Sequence, residues 1–378
     1  MTIHILHCIN SFSPLSGGVG FALKEFCEGL SDFNHTVFAL KDSEPTFESD
    51  ALNLRLFDRN GPFTLSYSID LEKALMRHVS NNPDTILHIH GLWSGLDHSI
   101  NVLRRKHPEL NYIVSSHGML APIALKRRRM VKAIMSSIWL GPMIENSFAV
   151  HCLTANEEKH VQSFSSVVNT FIQPHAIDFP FTENELIKIW SMKKKQKKTL
   201  LYIGRIHRTK GVVELVKAME ERAQVGLETN FGLIIAGIGQ VEAIAEIKKI
   251  TKASIADVTF IGPAFGEKKR RLLLDAHGLI LPSMTEGLPM TLMEGMSCGL
   301  PLFVTHECNL DWVSEQGAGV SLPYSAANIA GLLDAFNSTP IKELSQMGLS
   351  GAKQARQIYT SEVITKNWRE LYERAKQK

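Results

Sequence analysis

The sequence predicts an α/β protein built from two doubly wound parallel-sheet domains. Three observations carry this: short apolar runs rich in β-branched residues, helical stretches between them, and a restart of the whole rhythm midway along the chain. At 378 residues the chain exceeds one ordinary core, so two domains are the natural division.

The apolar runs come in order at 3–9, 35–40, 86–93, 112–118, 148–154 and 169–174. After a lysine-rich stretch they resume at 199–205, 231–237, 258–262, 278–283 and 300–305. Near-continuous apolar strands separated by helices describe parallel sheets covered on both faces. The alternation lapses over 176–198, which divides the chain into an N-terminal domain, 1–178, and a C-terminal domain, 179–360. The last stretch, 362–377, has the spacing of an amphipathic helix and must dock somewhere. Ligands of open parallel sheets bind beyond the carboxyl ends of the strands, and two facing domains form a cleft from both sets of ends.

Composition narrows the class. The chain is 44% hydrophobic and 21% charged, as soluble globular proteins are. Its five cysteines are odd in number and form no C-x-x-C pair, so neither a disulfide framework nor a zinc site is suggested and a reducing cytosol fits. No basic, apolar leader opens the sequence and no run reaches membrane-spanning length, which gives a cytoplasmic expectation. A net charge of +3 does not argue for nucleic acid. Two basic clusters stand out, "LKRRRMVKAIM" (125–135) and "KKKQKK" (193–198). The second reads as solvated surface lysines. In the first, Met130, Val131, Ile134, Met135 and Ile138 recur at helical spacing beside Lys126, Arg127, Arg128, Arg129 and Lys132, the pattern of a helix lying on an anionic bilayer.

Four constellations follow strands. "SFSPLSGGVGFALKEF" (11–26) is a Gly-rich loop opening a helix, where Gly17, Gly18 and Gly20 let backbone amides approach an anion. It is neither a P-loop nor a full dinucleotide fingerprint, and "IIAGIGQVEA" (234–243) has Glu242 where a third fingerprint glycine is required. "LLYIGRIHRTKGVVELV" (200–216) puts Arg205 and Lys210 just before a helix, two cations and a positive helix end suited to a diphosphate.

"TEGLPMTLMEGMSCGLP" (285–301) places Glu286 before a helix and Glu294 about two turns into it. At ~1.5 Å per residue the two carboxylates are too far apart to share a proton, and separate duties follow, one at a nucleotide ribose and one near a transferred group. Pro289 suits the first helical turn, with free amides around Met290 and Thr291. Of the histidines, His88 and His90 share one side of a strand without a third ligand at metal-site spacing, while His117, in "VSSHGML", is the better candidate for a substrate contact. No Asp-x-Asp pair offers ligands for a nucleotide-bound Mg²⁺, so no metal is expected.

In this order and at these separations, "GGVGFALKEF", "SSHGML", "GRIHRTKG", "IIAGIG" and "TEGLPMTLMEGMSCGLP" resemble the retaining glycosyltransferases of the GT-B, family 4 type, which serve envelope polysaccharide, O-antigen and capsule synthesis. The match runs from about residue 10 to 305. The resemblance implies the GT-B fold, two Rossmann-like domains facing across a cleft, with the C-terminal helix 361–378 crossing back to an acceptor-binding N-terminal domain.

It further implies that Arg205 and Lys210 bind the diphosphate of a nucleotide-sugar donor and Glu294 the ribose. Glu286 would contact the donor sugar, with amides around Gly287, Leu288, Met290 and Thr291. His117 would help align the reacting centre, and Gly17 and Gly18 would approach the diphosphate. The implied activity is a retaining, metal-independent hexosyl transfer by front-face displacement, without a cofactor, from a UDP- or GDP-sugar to a growing, lipid-linked glycan on the cytoplasmic face of the inner membrane. Two departures, "QPHAID" (173–178) for the usual Asn-Gly-Ile-Asp and Pro289 for a residue with an amide, leave the donor open. A nucleotide-sugar epimerase or isomerase and a non-catalytic nucleotide-sugar-binding protein are the alternatives.

Overall fold

The computed structural model describes residues 3–14, 18–42, 45–60, 66–193, 196–310 and 312–377. The chain divides into two compact units, Met1–Ala176 with Ser361–Lys378, and Ile177–Thr360.

The first unit is a seven-stranded sheet of β1 (His4–Ile9), β2 (Asn34–Leu40), β3 (Leu52–Phe57), β4 (Ile86–His90), β5 (Tyr112–Ser115), β6 (Ala149–Cys152) and β7 (Thr170–Ile172). Its order is β3-β2-β1-β4-β5-β6-β7 with every pair parallel. The second unit carries β8 (Lys198–Ile203), β9 (Phe231–Ala236), β10 (Val258–Gly262), β11 (Gly278–Leu281), β12 (Leu302–Thr305) and β13 (Gly319–Leu322). These are parallel too, in the order β10-β9-β8-β11-β12-β13. Strand order reverses between β1 and β4 in one sheet and between β8 and β11 in the other, the two places where loops part to leave room for a ligand.

Two edge strands, β3 and β13, escape the apolar-run criterion. β3 alternates partly buried and exposed residues, as a strand with one solvated side does, so it has no continuous apolar signature.

The C-terminal helix, Ser361–Gln377, packs on the first unit. Ile364, Trp368, Leu371, Tyr372 and Ala375 recur on one face and are buried with Ile3, Ile5, Ile86, Ile113 and Ala149 from the strands beneath. At ~1.5–3 kcal/mol for each large side chain removed from water, that stripe outweighs the Arg369–Asp32 ion pair at its exposed rim.

The lysine-rich stretch departs from expectation. Lys193 is buried, donates to the Ala276 carbonyl at 2.5 Å and lies 4.6 Å over the Trp190 ring. Burial lowers its pKa to about 8. Lys198 donates to the carbonyls of Phe336, Asn337 and Thr339 at 2.8–3.0 Å. Both ammonium groups cap carbonyls at helix C-terminal ends rather than sit in water. The helix before them, Glu183–Lys193, fills the stretch where the α/β rhythm lapses and anchors itself through Trp190 Nε1 to the Gly299 carbonyl at 3.0 Å.

Candidate functional site

Each unit places predicted residues at the carboxyl ends of its own strands. In the second unit the loop after β8 is built to reach the loop after β11. The Tyr202 hydroxyl donates to the Arg205 carbonyl at 2.9 Å, and His207 caps a short 3₁₀ turn, Arg208–Lys210, by accepting from the Thr209 amide. Gly211 then adopts φ +65°, and a Cβ there would lie 1.9 Å from the Pro282 carbonyl oxygen, so the two loops touch backbone to backbone. The Met284 amide donates to the Thr209 carbonyl at 2.8 Å across the same seam.

That approach sets Lys210 Nζ 2.6 Å from Glu286 Oε2. Ser283 Oγ donates to the other carboxylate oxygen at 2.6 Å. The Glu286 backbone is fixed as well, its amide donating to the Glu307 carbonyl at 3.0 Å. Asn309, left-handed at φ +59°, donates through its side-chain amide to the carbonyls of Glu286 and Gly287 at 2.7 and 2.8 Å. Ser283, Glu307 and Asn309 carry no sequence motif, and only the fold brings them here.

The helix Met290–Ser297 follows, with Pro289 at its N-cap and no side-chain cap, leaving the first-turn amides near Met290 and Thr291 without intrahelical acceptors. Leu288, just before the helix, is buried. Glu294 forms an ion pair with Lys269, so the two carboxylates of the motif have different partners. Arg205 is exposed, and its side chain makes no ion pair among the described residues. The glycines of "IIAGIG" serve packing: a Cβ on Gly237 or Gly239 would fall 1.9 Å from the carbonyl oxygen of Gly204 or Ile206. They let β9's loop lie against β8's loop at the two residues that flank Arg205.

In the first unit His117 follows β5 in a left-handed turn at φ +47°. One buried carboxylate holds that turn. Glu157 accepts from Ser116 Oγ at 2.6 Å, from the Gly118 amide at 2.5 Å and from the Leu153 amide at 2.7 Å. Glu157, too, is invisible as a motif. The Nε2 of His117 is buried without a hydrogen-bond partner among the described residues. Its ring stacks on His90 at 5.8 Å and on His175 at 6.0 Å. Burial and these neighbouring imidazoles hold its pKa well below the usual histidine range.

Gly18 begins the helix Gly18–Gly29, and an added Cβ would meet nothing within 4 Å; Gly17 lies outside the described residues. His88 and His90 do face one side of β4, and with His7 they bring ligand atoms within 4.8 Å of one another, as do His7, Cys27 and His35. The facing nitrogens of His7 with His90, and of His7 with His35, are already hydrogen-bonded at 3.0 Å.

The basic stretch is not one helix. It is broken where Arg128 turns left-handed at φ +54°, between short helices Pro122–Lys126 and Arg129–Met135. Lys126, Arg127, Arg128 and Arg129 are exposed. Met130, Val131, Ile134 and Ile138 are 81%, 48%, 57% and 53% exposed beside them. Two residues leave the expected face: Met135 is buried, and Lys132 turns inward, donating to the Ala124 carbonyl at 2.7 Å and lying 4.6 Å over the Trp93 ring. No described helix is long and apolar enough to cross a membrane.

Comparison with known proteins adds the following. Residues 184–354 match the family model described as glycosyl transferases group 1. The putative colanic acid biosynthesis glycosyltransferase WcaL of Escherichia coli is 21% identical over 284 residues, covering 73% of this chain and 61% of that protein. An uncharacterized glycosyltransferase of Methanocaldococcus jannaschii is 28% identical over 126 residues, 31% of this chain and 32% of its own length. The chain thus spans less than two thirds of these curated relatives. Among solved structures, sucrose-phosphate synthase from Thermosynechococcus elongatus superposes with a TM-score of 0.73 at 18% identity, covering 98% of both chains. Anabaena HepE in complex with UDP and glucose gives 0.72 at 12% identity, over 97% of this chain and 98% of that one. At these identities the likeness establishes the fold, and the fold is GT-B.

Proposed function

We propose that this chain is a retaining, metal-independent hexosyltransferase that moves a sugar from a UDP- or GDP-sugar to a growing, lipid-linked surface glycan. The observation that carries the reading is the meeting of Lys210 and Glu286 where strand order reverses between β8 and β11, beside exposed Arg205 and the uncapped helix Met290–Ser297. Cations and helix amides stabilise the charge that grows on a diphosphate as its bond to the sugar breaks. Arg205 and Lys210 take that role, so the leaving group needs no metal. Glu286 and the amides near Gly287, Leu288, Met290 and Thr291 hold the sugar, Glu294 exchanges Lys269 for the ribose hydroxyls, and His117 lines the reacting hydroxyl. The acceptor hydroxyl attacks the anomeric carbon from the face the phosphate leaves, and its proton passes to the departing phosphate oxygen. The match to WcaL supports a polysaccharide acceptor, and the exposed stripe beside Lys126–Arg129 supports a peripheral membrane position.

The reading is tested by calorimetric titration of the pure protein in EDTA against UDP, GDP and their hexose conjugates, with Glu294→Ala as control. Binding of one nucleotide, weakened at least ~10-fold in the variant, is expected for the loss of paired ribose hydrogen bonds. No binding to any of them, or binding that appears only with added Mg²⁺, overturns it.

A further inference from the structure

The first unit contains seven histidines in mutual contact, and proton counting shows that they are not equivalent. His35 Nε2 lies 2.9 Å from the Leu30 carbonyl, which can only accept, so this nitrogen carries the ring's proton. His35 Nδ1 is then bare and must accept from His7 Nε2 at 3.0 Å. His7 Nδ1, bare in turn, accepts from His90 Nε2 at 3.0 Å. Three bonds consume the three protons of three neutral imidazoles. The Nδ1 of His90 is left as a lone-pair acceptor.

A second chain is closed at both ends. Its last acceptor is the Gln173 carbonyl, 2.6 Å from His151 Nε2. Working back, Ser115 Oγ donates to His151 Nδ1 at 2.7 Å, His88 Nε2 donates to Ser115 Oγ at 2.7 Å, and the Tyr372 hydroxyl donates to His88 Nδ1 at 2.6 Å. Both nitrogens of His88 and of His151 are therefore committed.

One pocket of this unit is lined by His88, His90, His117, His151 and His175, with apolar walls that include Phe26 and Trp368. With His88 and His151 spent, its imidazole offering to a ligand is His90 Nδ1, the unpartnered Nε2 of His117 and the edge of His175, beside the hydroxyl-bearing Ser361 and Thr365. No lysine or arginine lines it, and one carboxylate, Glu25, does. The cavity measures about 40 Å³, room for about three or four hydroxyl-sized groups at roughly 10–15 Å³ each.

We propose that His90, held as a pure acceptor by the His35–His7 chain behind it, makes this pocket specific for the hydroxyl groups of an uncharged sugar and excludes phosphorylated ones. A hydroxyl donates to Nδ1 and can accept in the same geometry; a phosphate brings only oxygens to a bare lone pair, with no cation to meet its charge. His7 and His35 act as positioning residues, since neither reaches the pocket. The inference rests on the transferase reading only in naming the ligand a sugar.

The test uses the full chain, labelled with ¹⁵N-histidine, in long-range ¹H–¹⁵N spectra at pH 7.5. The probes are the methyl glycosides of glucose, galactose, mannose and N-acetylglucosamine, and the corresponding hexose 6-phosphates. The expected result is His90 protonated at Nε2 alone, with its Nδ1 resonance displaced by at least one methyl glycoside and binding of the matching 6-phosphate roughly tenfold weaker or worse, the size of a lost hydrogen bond. His90 protonated at Nδ1, no glycoside displacing its signal, or equal binding of the phosphate overturns the proposal. In His35→Phe the chain loses its carbonyl anchor, and His90 is expected to show both tautomers and weaker discrimination; an unchanged tautomer also counts against it. Nucleotide binding is scored separately, so glycoside binding without nucleotide binding would retain this inference and defeat the transferase reading.

Discussion

Lys210 and Glu286 stand 76 positions apart in the sequence and 2.6 Å apart in the fold. Their pairing joins the loop after β8 to the loop after β11 and holds a cation in place at the point where the sheet's strand order reverses. Removing the cation by Lys210→Ala should lower kcat by ~10²–10³, the loss typical of one well-placed electrostatic donor. Because the Glu286 side chain is only 9% exposed, losing its cation leaves a largely buried carboxylate, and a stability loss of about 1–3 kcal/mol should accompany the change. Steady-state kinetics together with a melting curve decide it, and a variant that melts early but turns over normally would assign the pair to stability alone.

Gly211 makes that pairing possible. With φ +65° and the Pro282 carbonyl oxygen 1.9 Å from where a Cβ would sit, Gly211→Ala must push the two loops apart. A loss of about 2 kcal/mol or more is expected in urea unfolding, along with lower activity. Stability within ~0.5 kcal/mol of the parent would mean the loops separate freely.

Glu157 is expected to matter to activity without touching substrate. It gathers Ser116 Oγ and the amides of Gly118 and Leu153, bracketing His117. Glu157→Ala strands three buried donors at ~1–3 kcal/mol each and releases the strained His117 turn. The expected signature is a destabilised first unit and a raised KM for acceptor, with nucleotide affinity unchanged. Equal losses in both affinities would point to general unfolding.

The stripe of Met130, Val131, Ile134 and Ile138 beside Lys126–Arg129 should bind anionic vesicles. Neutralising Lys126, Arg127, Arg128 and Arg129 removes four charges at ~1 kcal/mol each near such a surface, enough to abolish flotation with phosphatidylserine vesicles. Lys132 is left out, because its ammonium is already engaged by the Ala124 carbonyl. Flotation that survives the fourfold change would sink the membrane reading.

The histidine cluster predicts acid sensitivity. Burial holds His7, His88, His90 and His117 well below the usual range and His175 at about 3. Unfolded, each binds a proton near pH 6.5, so the unfolded chain takes up more protons than the folded one. Stability is therefore fully present above about pH 6.5 and lost as pH falls from there through the folded values, at up to ~1.4 kcal/mol per pH unit for each histidine. Melting temperatures at pH 8, 7, 6 and 5 should hold level and then drop steeply. A flat profile would show that the rings are protonated in the fold.

The two-sheet architecture was legible because eleven strands, most of them largely buried, write themselves as short apolar runs, and because the terminal helix repeats its apolar residues every three or four positions. Glu286 and Lys210 could be singled out because turn-and-helix chemistry beside a charge is local. Edge strands β3 and β13 stayed hidden, since a half-solvated strand needs no continuous apolar run. Lys193, Lys198 and Lys132 misled for a related reason: a charge is conspicuous in sequence, but its partners here are carbonyl oxygens, which every residue has. Only the tertiary structure decided that Glu157 braces His117, that Asn309 holds the Glu286 backbone, and that His90 ends a chain of imidazoles with its lone pair free. The sequence by itself determined the α/β class, the two-domain division and the buried strands, because backbone periodicity is a local property. Which polar atoms meet was left to the fold, because a hydrogen bond depends on a distance of about 3 Å between groups the chain brings together from far apart.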